Sequence, residues 1–194
     1  MRICHSVVSV LLLVVASGCG GSSPTRTSPT PVVADTSVGP PPPPLSCVIG
    51  FDQLRVNHAA FTTQADCGVT ITASDASWQA VTTYGRPAPF VWFTVPAGTT
   101  AIGEITVTSS GPFTFQSVDI YSSTTKIPYE IRGLVNGAAI FTVQGIQGNT
   151  FGAFATIASP SPTAPIDALR IRLTNPAAPC CANPVGLDNI RVVR

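Results

Sequence analysis

Tyr129-Glu-Ile-Arg-Gly-Leu-Val-Asn-Gly-Ala-Ala-Ile-Phe-Thr-Val143 decides the fold. Two runs rich in branched and aromatic residues flank Asn136-Gly137, a pair that readily takes the positive φ values of a type I′ turn. The stretch therefore predicts a β-hairpin. Ile166 to Leu173 repeats the theme: Leu169, Ile171 and Leu173 alternate with Arg170 and Arg172, so one face of that strand meets a core and the two arginines meet water. In Phe113 to Tyr121 the alternation changes phase, because Phe113 and Phe115 share one parity and Val118 and Ile120 the other. A β-bulge near Gln116 reconciles them.

Short apolar stretches bounded by Gly, Pro, Asn or Ser recur over the rest of residues 47–194. They are Val48 to Phe51, Val69 to Ala73, Phe90 to Val95, Ile102 to Val107, Ala138 to Val143, Phe151 to Ile157 and Leu187 to Val193. No three-turn amphipathic helix interrupts them. With the stretches above they give ten short strands, hence an all-β domain, a sandwich or barrel of antiparallel strands.

The amino terminus differs in kind. Arg2, an apolar run from Val7 to Ala16 and the small residues Ser17 and Gly18 have the layout of a secretory signal over residues 1–18. Ten helical residues reach about 15 Å, half of the roughly 30 Å of a bilayer core, so cleavage is expected rather than a membrane span. Ala16-Ser17-Gly18-Cys19 resembles a bacterial lipobox, which implies Cys19 as the lipidated first residue of the mature chain and the membrane as a partner through that lipid. By the same resemblance, the lack of Asp at position 20 implies outer-membrane delivery. Residues 19–46 form a Gly-, Ser- and Pro-rich linker ending in the unbroken run Pro40 to Pro44. Proline supplies no N–H and fixes φ, so this segment reads as a stalk and not as part of a core.

Only 10% of the residues are charged and the formal net charge is +1, too little for the basic surface that phosphate neutralisation requires, so nucleic acid is not an expected partner. A monomer is expected. Cys4 and Cys19 belong to the export signal, leaving Cys47, Cys67, Cys180 and Cys181 as disulfide candidates in an oxidising compartment. Of the three possible pairings, the one that joins adjacent Cys180 and Cys181 closes a strained ring. The other two tie the first loop region to the segment before the last strand.

Phe51-Asp-Gln-Leu54, Phe113 to Tyr121, Gly133-Leu-Val-Asn-Gly137, Ile166-Asp-Ala-Leu-Arg-Ile171 and Gly186-Leu-Asp-Asn-Ile-Arg-Val192 resemble the galactose-binding-like jelly rolls of exported bacterial proteins. The resemblance implies a jelly-roll β-sandwich of about eight to ten antiparallel strands and a role in glycan binding, adhesion or envelope structure. It also implies a structural calcium ion near the meeting point of the terminal strands. Asp52 shares parity with Leu54 and Val56, and Asp188 with Ile190 and Val192. Both carboxylates are therefore expected to approach the core at a sheet end, where Ca²⁺ or backbone N–H groups would compensate them.

His58 is the only histidine after signal removal, and neither a Gly-x-Ser-x-Gly elbow nor a His-Glu-x-x-His helix accompanies it. No catalytic residue is assigned. Sugar rings stack on exposed aromatic faces. The candidates are Trp78 and Tyr84, which flank residues 77–89, and Tyr121 and Tyr129, which bracket residues 122–128. Trp92, inside Phe90-Val-Trp-Phe93, reads as core. The sequence thus points to a lipid-anchored, exported, non-catalytic binding module for carbohydrate; the alternative is a structural or adhesive envelope protein that binds another envelope protein and no small ligand, and the third reading is a hydrolase.

Overall fold

A computed structural model describes residues 43–83, 88–177 and 182–194. Its strands are β1 (Ser46–Ile49), β2 (Thr63–Asp66), β3 (Val69–Ser74), β4 (Gln79–Val81), β5 (Phe90–Val95), β6 (Ala101–Ser122), β7 (Ile127–Val135), β8 (Ala138–Gln147), β9 (Phe154–Ala158), β10 (Ile166–Asn175) and β11 (Asn183–Val193). Every pairing among them is antiparallel. In sheet A the order is β4-β5-β11-β6-β9, with β1 on the β5 side of β11. In sheet B it is β2-β3-β6-β10-β7-β8. The domain is an antiparallel β-sandwich of the jelly-roll kind, as expected.

β6 belongs to both sheets. Its first half pairs with β3 and β10, and its second half with β11 and β9. The strand changes sheet near Gly111-Pro112, where a residue with no side chain and one with no N–H sit between two ladders and leave no ladder bond unmade. The sequence shows these halves as separate strands because Gly-Pro interrupts the alternation. It gives no sign of β2 and β4, which are four and three residues long.

The Asn136-Gly137 turn has φ values of 50° and 79° and joins β7 to β8, the predicted hairpin. The predicted bulge is also present: Arg191 faces Ser117 and the next residue, Val192, faces Phe115, so Gln116 is the extra residue. That extra residue lets Phe113, Phe115, Val118 and Ile120 all enter the core. Alternation does the same on β10, where Leu169, Ile171 and Leu173 are fully buried. Each such side chain contributes about 1.5–3 kcal/mol of burial.

Cys47 is disulfide-bonded to Cys67, with their Cα atoms 6.3 Å apart. This corrects both expected pairings with Cys180 and Cys181. Cys67 lies in the β2–β3 turn, and the Arg194 guanidinium at the end of β11 donates to its carbonyl at 3.1 Å. The terminal strand pair thereby brings Cys47 to this turn. Cys180 and Cys181 lie outside the described residues, as do Tyr84 and Cys19.

A polar knot closes one end of the sandwich. The Asn183 side-chain oxygen Oδ1 accepts from the Thr124 backbone N–H at 2.9 Å and from its hydroxyl at 2.6 Å. Its amide donates to Thr125 Oγ1 at 2.6 Å and to Asn175 Oδ1 at 3.2 Å. Both asparagines are buried, and these bonds satisfy the polar groups that burial removes from water.

Candidate functional site

Each sheet has an outer face, and the chemistry outside the core divides between the two. On sheet A, the aromatic residues of β5 that point away from the core are Phe90 and Trp92. Register sets Trp92 beside Gly186 of β11, Gly186 beside Tyr121 of β6, and Tyr121 beside Phe154 of β9. A side chain on Gly186 would collide with the Val91 carbonyl and with Trp92 Cβ, so glycine is what lets the tryptophan lie across the central strand. The rings form a second small core. The Phe90 centroid lies 5.8 Å from Trp92, 4.9 Å from Tyr121 and 5.2 Å from Phe154. Phe90 and Tyr121 are completely buried.

The three described side chains marked as ligand candidates by sequence, Trp78, Tyr121 and Tyr129, are placed as follows, with Trp92 and His58 beside them. Trp78 is buried in the main core, with its ring centroid 4.8 Å from Phe93 and its indole N–H donating to the Ser74 carbonyl at 3.2 Å. Tyr121 is buried in the second core. Neither offers a stacking face, which corrects the expectation for both. Tyr129 is half-buried and packs against the main core over Gly145. Trp92 is packed, as expected, but in the outer cluster. His58, at a φ of 59°, lies 6.0 Å from the Trp92 ring, and its Nδ1 is 3.3 Å from Gln79 Oε1.

Beside this aromatic cluster sits a carboxylate pair. A second bulge, with Asn189 at a φ of 47°, shifts the register between Asp188 and Arg191. The shift separates Asp188 from Ile190 and Val192. Those two enter the core, while Asp188 stands opposite Asp119 on the outer face. The expected core-side approach of Asp188 is corrected by this extra residue. Asp52 is exposed in a turn, and Phe51 is the buried residue there, so Asp52 does not enter the core either.

The two carboxylates of the pair are treated differently. Burial works to raise the pKa of Asp119, but Arg191 grips both its oxygens at 3.1 Å, Thr156 donates at 2.6 Å and Asn189 at 3.0 Å. The net result holds Asp119 below the usual carboxylate range. Asp188 is pushed up to about 7, first by burial and then by the charges of Asp52 and Asp119, with the Asn189 backbone N–H acting the other way. Its Oδ1 is buried and has no hydrogen-bond partner among the described residues.

The outer face of sheet B carries charge instead of rings. Register aligns Glu104 of β6, Arg172 of β10, Glu130 of β7 and Gln144 of β8 in one cross-strand row. The next row holds Thr106, Arg170, Arg132 and Thr142. Glu104 bridges two arginines, at 3.3 Å from Arg170 and 3.5 Å from Arg172, and Glu130 pairs with Arg132 at 2.8 Å. The arginine side chains remain about 40% exposed, whereas Glu104 is only 13% exposed. The acids are thus the fixed centres, and the guanidinium groups reach outward.

Where these rows meet the end of the sheet lies a hollow of about 190 Å³, lined by Ile102, Pro128, Tyr129, Glu130, Arg172 and Thr174. It combines an apolar wall from Ile102 and Pro128 with a cation, an anion and a hydroxyl. Such a lining suits a ligand with an apolar face and a hydroxyl-bearing rim. Tyr129 is the sequence candidate that this hollow contains, and sequence alternation turns Arg172 outward, but the rest of the lining escapes a sequence reading, because it comes from three strands whose adjacency only topology supplies. Among the described residues, no three His, Cys, Asp or Glu side chains gather as metal ligands.

The chain matches no protein-family model and no curated protein. Among solved structures it is similar to a family 29 carbohydrate-binding module from Piromyces equi, with 10% identity over 78% of this chain and 91% of that one and a TM-score of 0.46. It is also similar to TmCBM61 in complex with beta-1,4-galactotriose (9% identity, 66% and 89% coverage, TM-score 0.45). A third is the family 32 module of NanJ from C. perfringens in complex with galactose (12% identity, 66% and 98% coverage, TM-score 0.41).

Proposed function

We propose that this protein is a non-catalytic binding module for carbohydrate, and that the hollow at Arg172 is where the sugar sits. The observation that carries the reading is the lining itself. Sugars pair C–H surfaces with hydroxyl edges, and Ile102 and Pro128 face the first need while Arg172, Glu130 and Thr174 face the second. Hydrogen bonds to charged groups are the stronger kind. At about 190 Å³ the hollow is below the roughly 300–1,000 Å³ of drug-sized sites, which favours engagement of a single ring of a longer chain. The reading rests on these residues and not on the likenesses above. A polysaccharide array is the test: retention of the protein, lost in Arg172→Gln with the fold intact, supports it, and silence across broad coverage overturns it.

The same proposal places the module on the outside of the cell. The support is the lipobox-like Ala16-Ser17-Gly18-Cys19 and the proline-stiffened stalk after it. Mass spectrometry of the mature amino terminus should find acylated Cys19, and an unmodified thiol there would remove the anchor. We further propose Asp188 and Asp52 as the carboxylates of a structural calcium ion. Support comes from the buried, undonated oxygen of Asp188 and the proximity of the Asp52 charge. Carbonyl oxygens would have to complete the six to eight that calcium requires. Excess chelator should then lower the melting temperature, and an unchanged melt with no calcium by elemental analysis discards the ion.

A further inference from the structure

The two charged rows of sheet B hold three arginines against two glutamates. Arg170 stands directly opposite Arg132 across the β10–β7 ladder, and like charges so placed repel. Both glutamates belong to the neighbouring row. Glu104 approaches Arg170 and Arg172 at Nε, and Glu130 takes Nη2 of Arg132. A guanidinium carries five N–H donors in a planar fork. Among the described residues these three groups make one hydrogen bond to the chain, from Arg132 to Glu130 at 2.8 Å. Because Glu104 meets its two arginines at Nε, their Nη ends have no partner among the described residues. The glutamate side chains are also the less exposed of the five, so an approaching ligand meets guanidinium first.

We infer that the sugar bound on this face is acidic: a polysaccharide bearing carboxylate or sulfate groups, with one ring in the hollow and its anionic groups on the outward ends of Arg172, Arg170 and Arg132. The inference rests on the reading of the hollow as a sugar site and adds to it the charge of the sugar. The hollow by itself is balanced, since Arg172 and Glu130 both line it. The excess charge lies in the next row, where Arg170 and Arg132 follow about 6.5 Å further along their strands. A single ring in the hollow leaves that row uncovered, and a longer chain reaches it. There the planar fork of a guanidinium can take two oxygens of one anionic group at once, and an anion between Arg170 and Arg132 replaces their repulsion by two attractions. The other members of the two rows, Gln144, Thr106 and Thr142, bring no negative charge against it.

The test compares polymers that share a backbone and differ in charge: polygalacturonate with its carboxyl-reduced form, and dextran sulfate with dextran. Each is titrated against the full mature chain in detergent, beside a set of neutral polysaccharides. At low ionic strength the acidic member of at least one pair should bind about tenfold tighter than its neutral partner or better, and added salt should shrink the difference. The pair that responds distinguishes carboxylate from sulfate. Arg170→Gln and Arg132→Gln, each with an unchanged circular dichroism spectrum, should both reduce the preference. Arg170→Lys keeps the charge without the fork, so it should retain only part of the preference, and it serves as the reading at this position if the glutamine variant does not fold. Equal binding within both pairs, or binding of neutral polysaccharides alone, overturns the acidic assignment and leaves the sugar site standing. Silence toward every polysaccharide removes the sugar site, and this inference with it. A preference for acidic polymers that survives both glutamine variants puts the recognition outside these rows and overturns the inference as well.

Discussion

The two outer faces of the sandwich put their polar and aromatic residues to opposite uses. Sheet A hides its rings. Phe90, Trp92, Tyr121 and Phe154 pack on one another, and the carboxylates beside them are buried. Sheet B displays a lattice of two glutamates and three arginines with a hollow at its end. Aromatic content therefore locates packing in this protein, whereas the charged alternation on β10 locates the accessible surface. Of the aromatic candidates, Trp78 and Tyr121 are packed away and Tyr129 alone reaches the sheet B hollow.

The largest effect belongs to Trp78. Truncation to Ala removes a fully buried ring and should cost about 3–5 kcal/mol in denaturant unfolding. Any loss of sugar retention should track the unfolded fraction alone. Retention lost in a variant that melts like wild type would return Trp78 to the site and break the contrast.

Asp188 comes next. Its folded pKa of about 7 lies above the ordinary aspartate value of 3.8, so the folded state holds a proton that the unfolded chain releases. Stability from this group is complete below about pH 4, declines as pH rises and is gone once pH passes 7. The loss is at most about 4 kcal/mol. Asp119 runs the other way: its depressed pKa gives stability above the ordinary carboxylate range that acid removes. Melting temperature against pH in chelator-treated protein should slope downward from pH 4 to 7, and Asp188→Asn should flatten it. A slope unchanged by that substitution assigns the titration elsewhere.

How much of this could be read from the sequence depends on how far each feature reaches along the chain. The Asn136-Gly137 hairpin, the alternation of β10 and the bulge at Gln116 are local, and each is legible because period-two burial marks its own exceptions. Asp188 misleads because the bulge at Asn189 changes parity between it and Ile190, and no apolar residue flags that change. Trp78 and Tyr121 mislead because the rings that pack on them, Phe93 of β5 on the first and Phe90 of β5 and Phe154 of β9 on the second, meet them only through the fold. The row from Glu104 through Arg172 to Glu130 cannot be read at all until the order β6-β10-β7 is known, since those residues are far apart in sequence.

Arg172→Gln sharpens the sheet B half of the comparison. It removes a charged donor from the hollow and should lower sugar affinity by about 1.5–3 kcal/mol, the range for hydrogen bonds to charged groups. Its salt bridge to Glu104 is half exposed at the arginine, so stability should move by less than about 1 kcal/mol. A calorimetric titration beside a melting curve separates the two quantities.

The smallest stability effect is expected at Glu104, and it is the most discriminating. This carboxylate holds Arg170 and Arg172 at once but does not line the hollow. In the proposed site its role is therefore to fix where the Arg172 guanidinium points. Glu104→Gln keeps the shape and removes the charge, leaving two adjacent arginines to repel each other and to sample more rotamers. Unfolding free energy should fall by no more than about 1 kcal/mol. Sugar affinity should still drop, with a less favourable binding entropy, because the ligand must now immobilise Arg172 itself. Glu104→Asp, which preserves the charge, should recover part of the loss. Affinity unchanged in Glu104→Gln would mean that Arg172 is placed by its strand alone and that the ion pairs of this face are solvated decoration.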